Sequence, residues 1–303
     1  MIRLGTKLST QMGIVRRMST DPSVVQISII GAGKMAEAIV EGLLLETFPH
    51  TIKLHVYDPN VDRLGYFNKK YGAKVHTVMA DCIADADLTL LACKPQNVDV
   101  VGGLLKGAAE TKLILSIVAG TTLEHLERVT GSRRIVRSMP NTPAAVHEGC
   151  TVWTSSTSVS PEDKQLCGEV LSAFGEEYYV EDEKYLDMAT ALSGSGPAYV
   201  LLLIEAMIET GVHFGFPRDL ATKLTHQTVK GTALMAMSSD VNSSSVRADI
   251  TSPGGTTAAA LYSLERGGFR TVVADGLWSA YRRSLELGKQ ESNVGPDRAL
   301  VRK

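Results

Sequence analysis

Val24-Val25-Gln26-Ile27-Ser28-Ile29-Ile30 runs directly into Gly31-Ala32-Gly33-Lys34-Met35-Ala36, and the join between the two stretches decides the fold. β-branched residues dominate the first stretch, as expected of a buried parallel strand. From Met35 to Leu45 the apolar spacing becomes helical. A strand, a glycine turn and a helix therefore follow in order. Gly31 can take the tight turn and Gly33 lets the backbone approach a pyrophosphate. The helix start beyond them offers free N–H groups and a partial positive charge. Ala36 occupies the third small position, where only close helix–strand packing is required. The combination is that of a dinucleotide cradle.

From this unit onward the chain alternates strand and helix signals, as a parallel sheet requires. Leu54-His55-Val56-Tyr57 gives a second strand, closed by Asp58-Pro59-Asn60, and Val61 to Tyr71 its helix. Asp58 stands where an acidic residue can accept hydrogen bonds from the adenosine ribose and repel a 2′-phosphate. Arg63, Lys69 and Lys70 follow closely enough to soften that repulsion, so NADH and NADPH both stay open. A short third strand at Lys74-Val75 precedes a helix ending near Ala86. A fourth strand, Asp87 to Cys93, is stopped by Lys94-Pro95-Gln96. The fifth, Leu113 to Val118, ends in Ala119-Gly120, and the sixth, Arg134 to Arg137, leads into Met139-Pro140-Asn141-Thr142-Pro143.

Ligands of open α/β sheets bind at the carboxyl edge. The expected cofactor contacts are Gly31, Ala32, Gly33, Lys34, Met35, Ala36 and Asp58, then Ala92, Cys93, Lys94 and Pro95, then Ile117, Val118 and Ala119, and last Asn141. The prolines around Asn141 fix the backbone that presents its amide.

Beyond Thr151 to Ser155 and a helix starting at Pro161, the sheet pattern fades near Tyr178-Tyr179-Val180, and from Glu183 only helical signals remain. The expected division is a Rossmann-type doubly wound domain over 23–182 and an all-α dimerisation and substrate domain over 183–290. A transit-like or disordered extension (1–22) and a flexible tail (291–303) flank them. Ala198 to Val212 is apolar on nearly every face apart from Glu205 and Glu209, so it has to be buried. One small helical domain cannot cover it alone, which implies an interlocked homodimer. The longest unbroken apolar run, Ala198 to Ile204, is too short to span a bilayer.

In Thr251-Ser252-Pro253-Gly254-Gly255-Thr256-Thr257, two glycines free the backbone ahead of a helix from Ala258 to Arg266, and hydroxyls cluster with N–H groups. Such a point suits a small carboxylate.

The 303 residues are 44% hydrophobic and 21% charged, enough for two folded domains. A net charge of −2 with no concentrated basic face argues against nucleic acid. Cys82, Cys93, Cys150 and Cys167 have neither CxxC spacing nor a nearby histidine set, which argues against a metal site or a disulfide framework and points to a reducing compartment. Met1 to Thr20 carries Arg3, Lys7, Arg16 and Arg17 without an acidic residue, the composition of a mitochondrial transit peptide. The protein is expected to be intracellular: mitochondrial if that segment is a leader, cytoplasmic otherwise.

The chain resembles the pyrroline-5-carboxylate reductases from Val24 to Leu287. The likeness rests on Ile30 to Ala36, Lys94-Pro95, Met139 to Pro143, Ser193-Gly194-Ser195-Gly196-Pro197-Ala198-Tyr199, and above all Thr251 to Thr257. It implies reduction of a cyclic imine to L-proline by NADPH or NADH, and dimers that assemble further into rings. It also implies that Ser252 and the Gly254, Gly255, Thr256 and Thr257 backbone hold the substrate carboxylate, with Thr257 bonding the ring nitrogen as the catalytic group. An asparagine that meets the adenine side in that family corresponds here to Met79. A rival reading, a β-hydroxyacid dehydrogenase, would require a lysine on the first long helix of the second domain, and Ala198 to Gly211 has none.

Overall fold

The computed structural model describes residues 24–45 and 48–296; the candidate transit segment and the end of the tail lie outside them. Eight strands form one sheet in the order β3-β2-β1-β4-β5-β6-β7-β8. They are β1 (Val24–Ile30), β2 (Thr51–Tyr57), β3 (Lys74–Val75), β4 (Leu88–Leu91), β5 (Ile114–Ser116), β6 (Ile135–Met139), β7 (Gly149–Ser155) and β8 (Gly175–Tyr179). The helices between them are α1 (Lys34–Leu43), α2 (Val61–Tyr71), α3 (Met79–Ile83), α4 (Val98–Leu105), α5 (Leu123–Thr130) and α6 (Pro161–Ser172).

β1 to β6 are all parallel, and the strand order reverses between β1 and β4. Ile30 pairs with both Tyr57 and Leu91, so three strands end level and present Gly31, Asp58 and Ala92 side by side. Both faces of the sheet are covered. Ile27, Ile29, Ile39, Phe67 and Phe174 belong to one buried cluster, and Ile30, Ile83, Leu91, Leu105 and Ile135 to the other.

Two features depart from the sequence reading. β7 runs antiparallel to β6, since only a short 3₁₀ turn (Thr142–Val146) connects them and no crossover helix intervenes. The sheet also extends through β8, which pairs parallel to β7 although Tyr178 and Tyr179 are largely exposed. Its alternation is weak because it is an edge strand.

From α7 (Lys184–Ala189) onward the described chain is helical: α8 (Gly196–His213), α9 (Arg218–Met237), α10 (Ser243–Asp249), α11 (Thr256–Arg266) and α12 (Phe269–Leu287). A π-helical turn (Thr190–Gly194) joins α7 to α8, so Lys184–His213 is one stretch of 30 helical residues. By length and composition alone that stretch could cross a membrane, which the shorter unbroken run did not suggest. α8 is expected to be more than one chain can cover, and within one chain none of its residues is buried: Leu201 and Leu202 are 62% and 67% exposed. α10 and α11 likewise bury none. These apolar faces are bare within a single chain.

Candidate active site

Gly31 has φ +105°, a conformation that L side chains rarely adopt, and donates its N–H to Tyr57 O at 2.9 Å. A Cβ there would lie 2.7 Å from Ala92 O, so the turn is pressed against the end of β4. Gly33 differs. It caps α1 with ordinary extended backbone (φ −78°), and a Cβ on it would meet nothing within 4 Å. The space its missing side chain leaves lies at a helix N-terminus, which suits a pyrophosphate. Ala32 and Ala36 are fully buried and pack α1 onto the sheet, whereas Lys34 is exposed.

Asp58 lies beside this turn with both oxygens engaged. Oδ2 accepts the Ala32 N–H at 2.7 Å and Oδ1 the Asn60 N–H at 2.8 Å. Its first task is therefore to tie the end of β2 to the glycine loop; lone pairs remain for a ribose. Arg63 donates Nε–H to Ala32 O at 2.7 Å and pairs with Glu37 at 3.1 Å, and Lys34 reaches the same carboxylate at 3.3 Å. Burial would raise the Glu37 pKa, but the hydrogen bonds from Tyr66, Arg63 and Lys34 outweigh it and hold the carboxyl at about 2. Lys70 is occupied by Glu41 at 2.7 Å and by Tyr66. Two of the three basic residues expected to welcome a 2′-phosphate are thus committed to acidic partners. The sequence does not display this Glu37-centred cluster, because apart from Lys34 its members stand 26 or more positions from Glu37. Met79 is buried in the core, so no polar side chain stands at that position.

Further along the edge, Lys94 and Pro95 are exposed, and Ala92, Cys93, Ile117 and Ala119 are half-buried. Burial pushes the Cys93 thiol up to about 11, so it stays protonated at neutral pH. Val118 points into the core and contributes only backbone. Asn141 is buried, and its amide bridges two elements: Nδ2 donates to Ser193 O at 3.0 Å and Oδ1 accepts the Cys150 N–H at 2.9 Å. It holds the π-turn against the sheet. Pro95, Gln96, Ala119 and Thr121 line a cleft of about 430 Å³ that Leu287, Gly288 and Lys289 close from the helical side. His147 is exposed, as expected of a residue after a turn.

The loop ahead of α11 is compact. Gly254 has φ +70°, Gly255 donates its N–H to Ser252 O at 3.1 Å, and a Cβ on Gly255 would collide with the Ser252 hydroxyl. Gly255 is the helix cap and no side chain caps with it, so the Thr256 and Thr257 hydroxyls have no capping role. Ala259 bonds back to Gly255 O at 3.2 Å, leaving the N–H groups of Thr256, Thr257 and Ala258 facing outward. Helix α11 packs on α12, and no hydrogen bond among the described residues joins 251–257 to the sheet domain. The loop's backbone hydrogen bonds, Thr251 N–H to Ala248 O at 3.0 Å and Gly255 N–H to Ser252 O at 3.1 Å, stay within the helical domain.

Residues 183–287 match the family model described as pyrroline-5-carboxylate reductase dimerisation, and residues 26–120 match one described as NADP oxidoreductase, coenzyme F420-dependent. Pyrroline-5-carboxylate reductases from Synechocystis and Glycine max are 39% and 40% identical to the chain, covering 88% and 86% of it and 99% and 95% of their own lengths. Among solved structures, a pyrroline-5-carboxylate reductase from Coxiella burnetii superposes with a TM-score of 0.79 at 36% identity, covering 87% of this chain and 98% of its own. The Plasmodium falciparum enzyme, solved with NADP bound, gives 0.78 at 32%, covering 87% and 98%. Identity at this level over nearly the whole described length, on the same two-part architecture, shows that the chain belongs to the pyrroline-5-carboxylate reductase family.

Proposed function

We propose that this protein reduces 1-pyrroline-5-carboxylate to L-proline with NADH or NADPH. The observation that carries this reading is the 251–257 loop. It offers outward N–H groups at a helix start, a tight Gly254-Gly255 turn and a Thr257 hydroxyl with no capping duty, in a chain of this family.

The chain's residues fit a dinucleotide, because the space at Gly33 and the α1 N-terminus match a pyrophosphate. When bound, the reduced nicotinamide supplies the hydride. Ser252 and the Gly254 to Thr257 backbone hold the substrate carboxylate. The Thr257 hydroxyl bonds the ring nitrogen and, directly or through a water, handles the proton that the nitrogen gains. A substrate that is already a protonated imine asks chiefly for orientation and a dry site, so no histidine or lysine acid is needed. Gly31, Ala32, Gly33, Lys34, Met35, Ala36 and Asp58 receive the adenosine diphosphate half. The edge from Ala92 to Pro95, Ile117 to Ala119 and Asn141 receives the nicotinamide half.

Two copies complete the site. The dimerisation match over 183–287 and the bare apolar face of α8 support a homodimer formed by 183–290, with 23–182 as the cofactor domain. Dimers assembling into a ring, and a mitochondrial or cytoplasmic address set by residues 1–22, extend the same reading. Light scattering during size exclusion tests the dimer. Loss of nicotinamide absorbance on mixing purified protein with pyrroline-5-carboxylate and each reduced cofactor tests the reaction; absence of turnover with both refutes it.

A further inference from the structure

The two halves of the chain are joined by a buried polar knot that the chemistry above does not use. Asp187 on α7 is 1% exposed and Arg137 on β6 is 2% exposed. Arg137 meets Asp187 Oδ1 at 3.2 Å and Glu183 at 2.8 Å. Ser284 of α12 donates to Asp187 Oδ1 at 2.8 Å, and Gln290, beyond the last helix, donates to Oδ2 at 3.1 Å. Glu183 also accepts the Leu123 N–H at the start of α5, at 2.7 Å. One carboxylate thus receives the sheet, the last helix and the segment after it. The same joint is tight on its other side. Gly120 abuts Leu287, where a Cβ would lie 2.8 Å from Leu287 Cβ, and Gly194 abuts Met139 at 2.7 Å by the same measure.

Buried ion pairs are weak evidence of net stability, since an apolar replacement of the same volume often does as well. Hydrogen bonds do something apolar contact cannot: they fix direction. The knot sits at the base of Lys184–His213, which passes through the π-helical turn into α8, whose 18 residues span about 27 Å at ~1.5 Å per residue. A tilt of about 2° at the joint displaces a point about 27 Å away by about 1 Å, and a misplacement of that size between reacting groups costs on the order of 100-fold in rate.

We propose that Asp187, gripped by Arg137, Ser284 and Gln290, is a positioning residue that sets the angle between the cofactor domain and the helical domain and so aligns the hydride donor with the substrate loop. The inference rests on the reductase reading given above.

Three variants test it. Asp187→Asn keeps the volume but weakens the grip on Arg137, while Ser284→Ala and Gln290→Ala each remove one hydrogen bond without leaving the guanidinium unpaired. The expected result for Asp187→Asn is a kcat fall of roughly 10- to 100-fold with KM for pyrroline-5-carboxylate and NADH affinity within about twofold of wild type. The primary deuterium isotope effect from 4-deuterated cofactor should rise toward its intrinsic value, and Ser284→Thr should restore what Ser284→Ala loses. A purely structural knot would lower the melting temperature and leave kcat and the isotope effect unchanged in every folded variant, which would overturn the proposal. If Asp187→Asn does not fold, the Ser284 and Gln290 variants decide on the same criteria. Wild-type turnover tests the reductase reading separately. Should it fail, spin labels on ketone-bearing amino acids at Lys69 and Lys223 still judge the joint: a broadened interdomain distance in the variants supports it, and an unchanged distribution refutes it.

Discussion

Gly31→Ala and Gly33→Ala differ by two positions and should fail in opposite ways. At Gly31 the new methyl must be accommodated against the carbonyl of Ala92, 2.7 Å from its O and 2.8 Å from its C, at φ +105°. Backbone at the end of a buried strand yields little. Overpacking costs about 1–3 kcal/mol and the left-handed conformation about 1–2 kcal/mol, a sum of roughly 2–5 kcal/mol. In a domain of this size that is a melting shift of roughly 4–20 °C. At Gly33 the methyl meets nothing within 4 Å and φ is −78°, so stability should change by no more than about 1 kcal/mol. The methyl instead stands in the space read as the pyrophosphate's approach, and NADH affinity should fall at least about tenfold, equivalent to ~1.4 kcal/mol. Thermal melts and fluorescence titration with NADH on the same preparations separate the two. Wild-type NADH affinity in Gly33→Ala would remove the cradle from this reading, and a wild-type melt for Gly31→Ala would show that the turn has slack the geometry denies.

Thr257→Ala should lose roughly 30- to 1,000-fold in kcat/KM, the worth of one positioned hydrogen bond in a dry site, with NADH affinity and melting temperature retained. Thr257→Ser should recover much of the loss, and steady-state rates near wild type for the alanine variant would rule the hydroxyl out. With Arg63 and Lys70 committed to Glu37 and Glu41, NADH should bind more tightly than NADPH, and Asp58→Ser should narrow that ratio. Titrating both cofactors checks it, an equal ratio before and after meaning that Asp58 only ties the loop. Burial and the facing His76 hold His55 below the ordinary histidine value of 6.5, and burial with nearby Lys74 does the same to His76; their ring nitrogens lie 3.0 Å apart. The unfolded chain then takes up protons first as pH falls, so this contribution to stability is complete above about pH 6.5 and is lost below it. Urea midpoints at about pH 7.5 and about pH 5.5 should differ less in His76→Gln than in wild type, and equal differences would discount the pair.

The nucleotide half was legible because its signals are local. The β-branched run before Gly31, the glycines at 31 and 33, and the helical spacing after Met35 all act within one βα unit, where strand, turn and helix preferences agree. The same holds for α2, whose Gly72 stop in the left-handed region matches the sequence to the residue. The 251–257 loop could be read as a substrate site from its glycines and hydroxyls, but not that Gly255 alone caps the helix. What the tertiary structure decided are relations between distant residues. Asp58 closes on Ala32 from 26 positions away, Arg137 on Asp187 from 50, and Asp187 on Gln290 from 103. Strand direction after Asn141 also needed the fold, because a short 3₁₀ turn and a crossover look alike in hydrophobic pattern. The nearly all-apolar run from Ala198 to Val212 marked α8 as a helix. It could not say which surface covers α8, because hydrophobicity records that a surface avoids water and not which surface it meets.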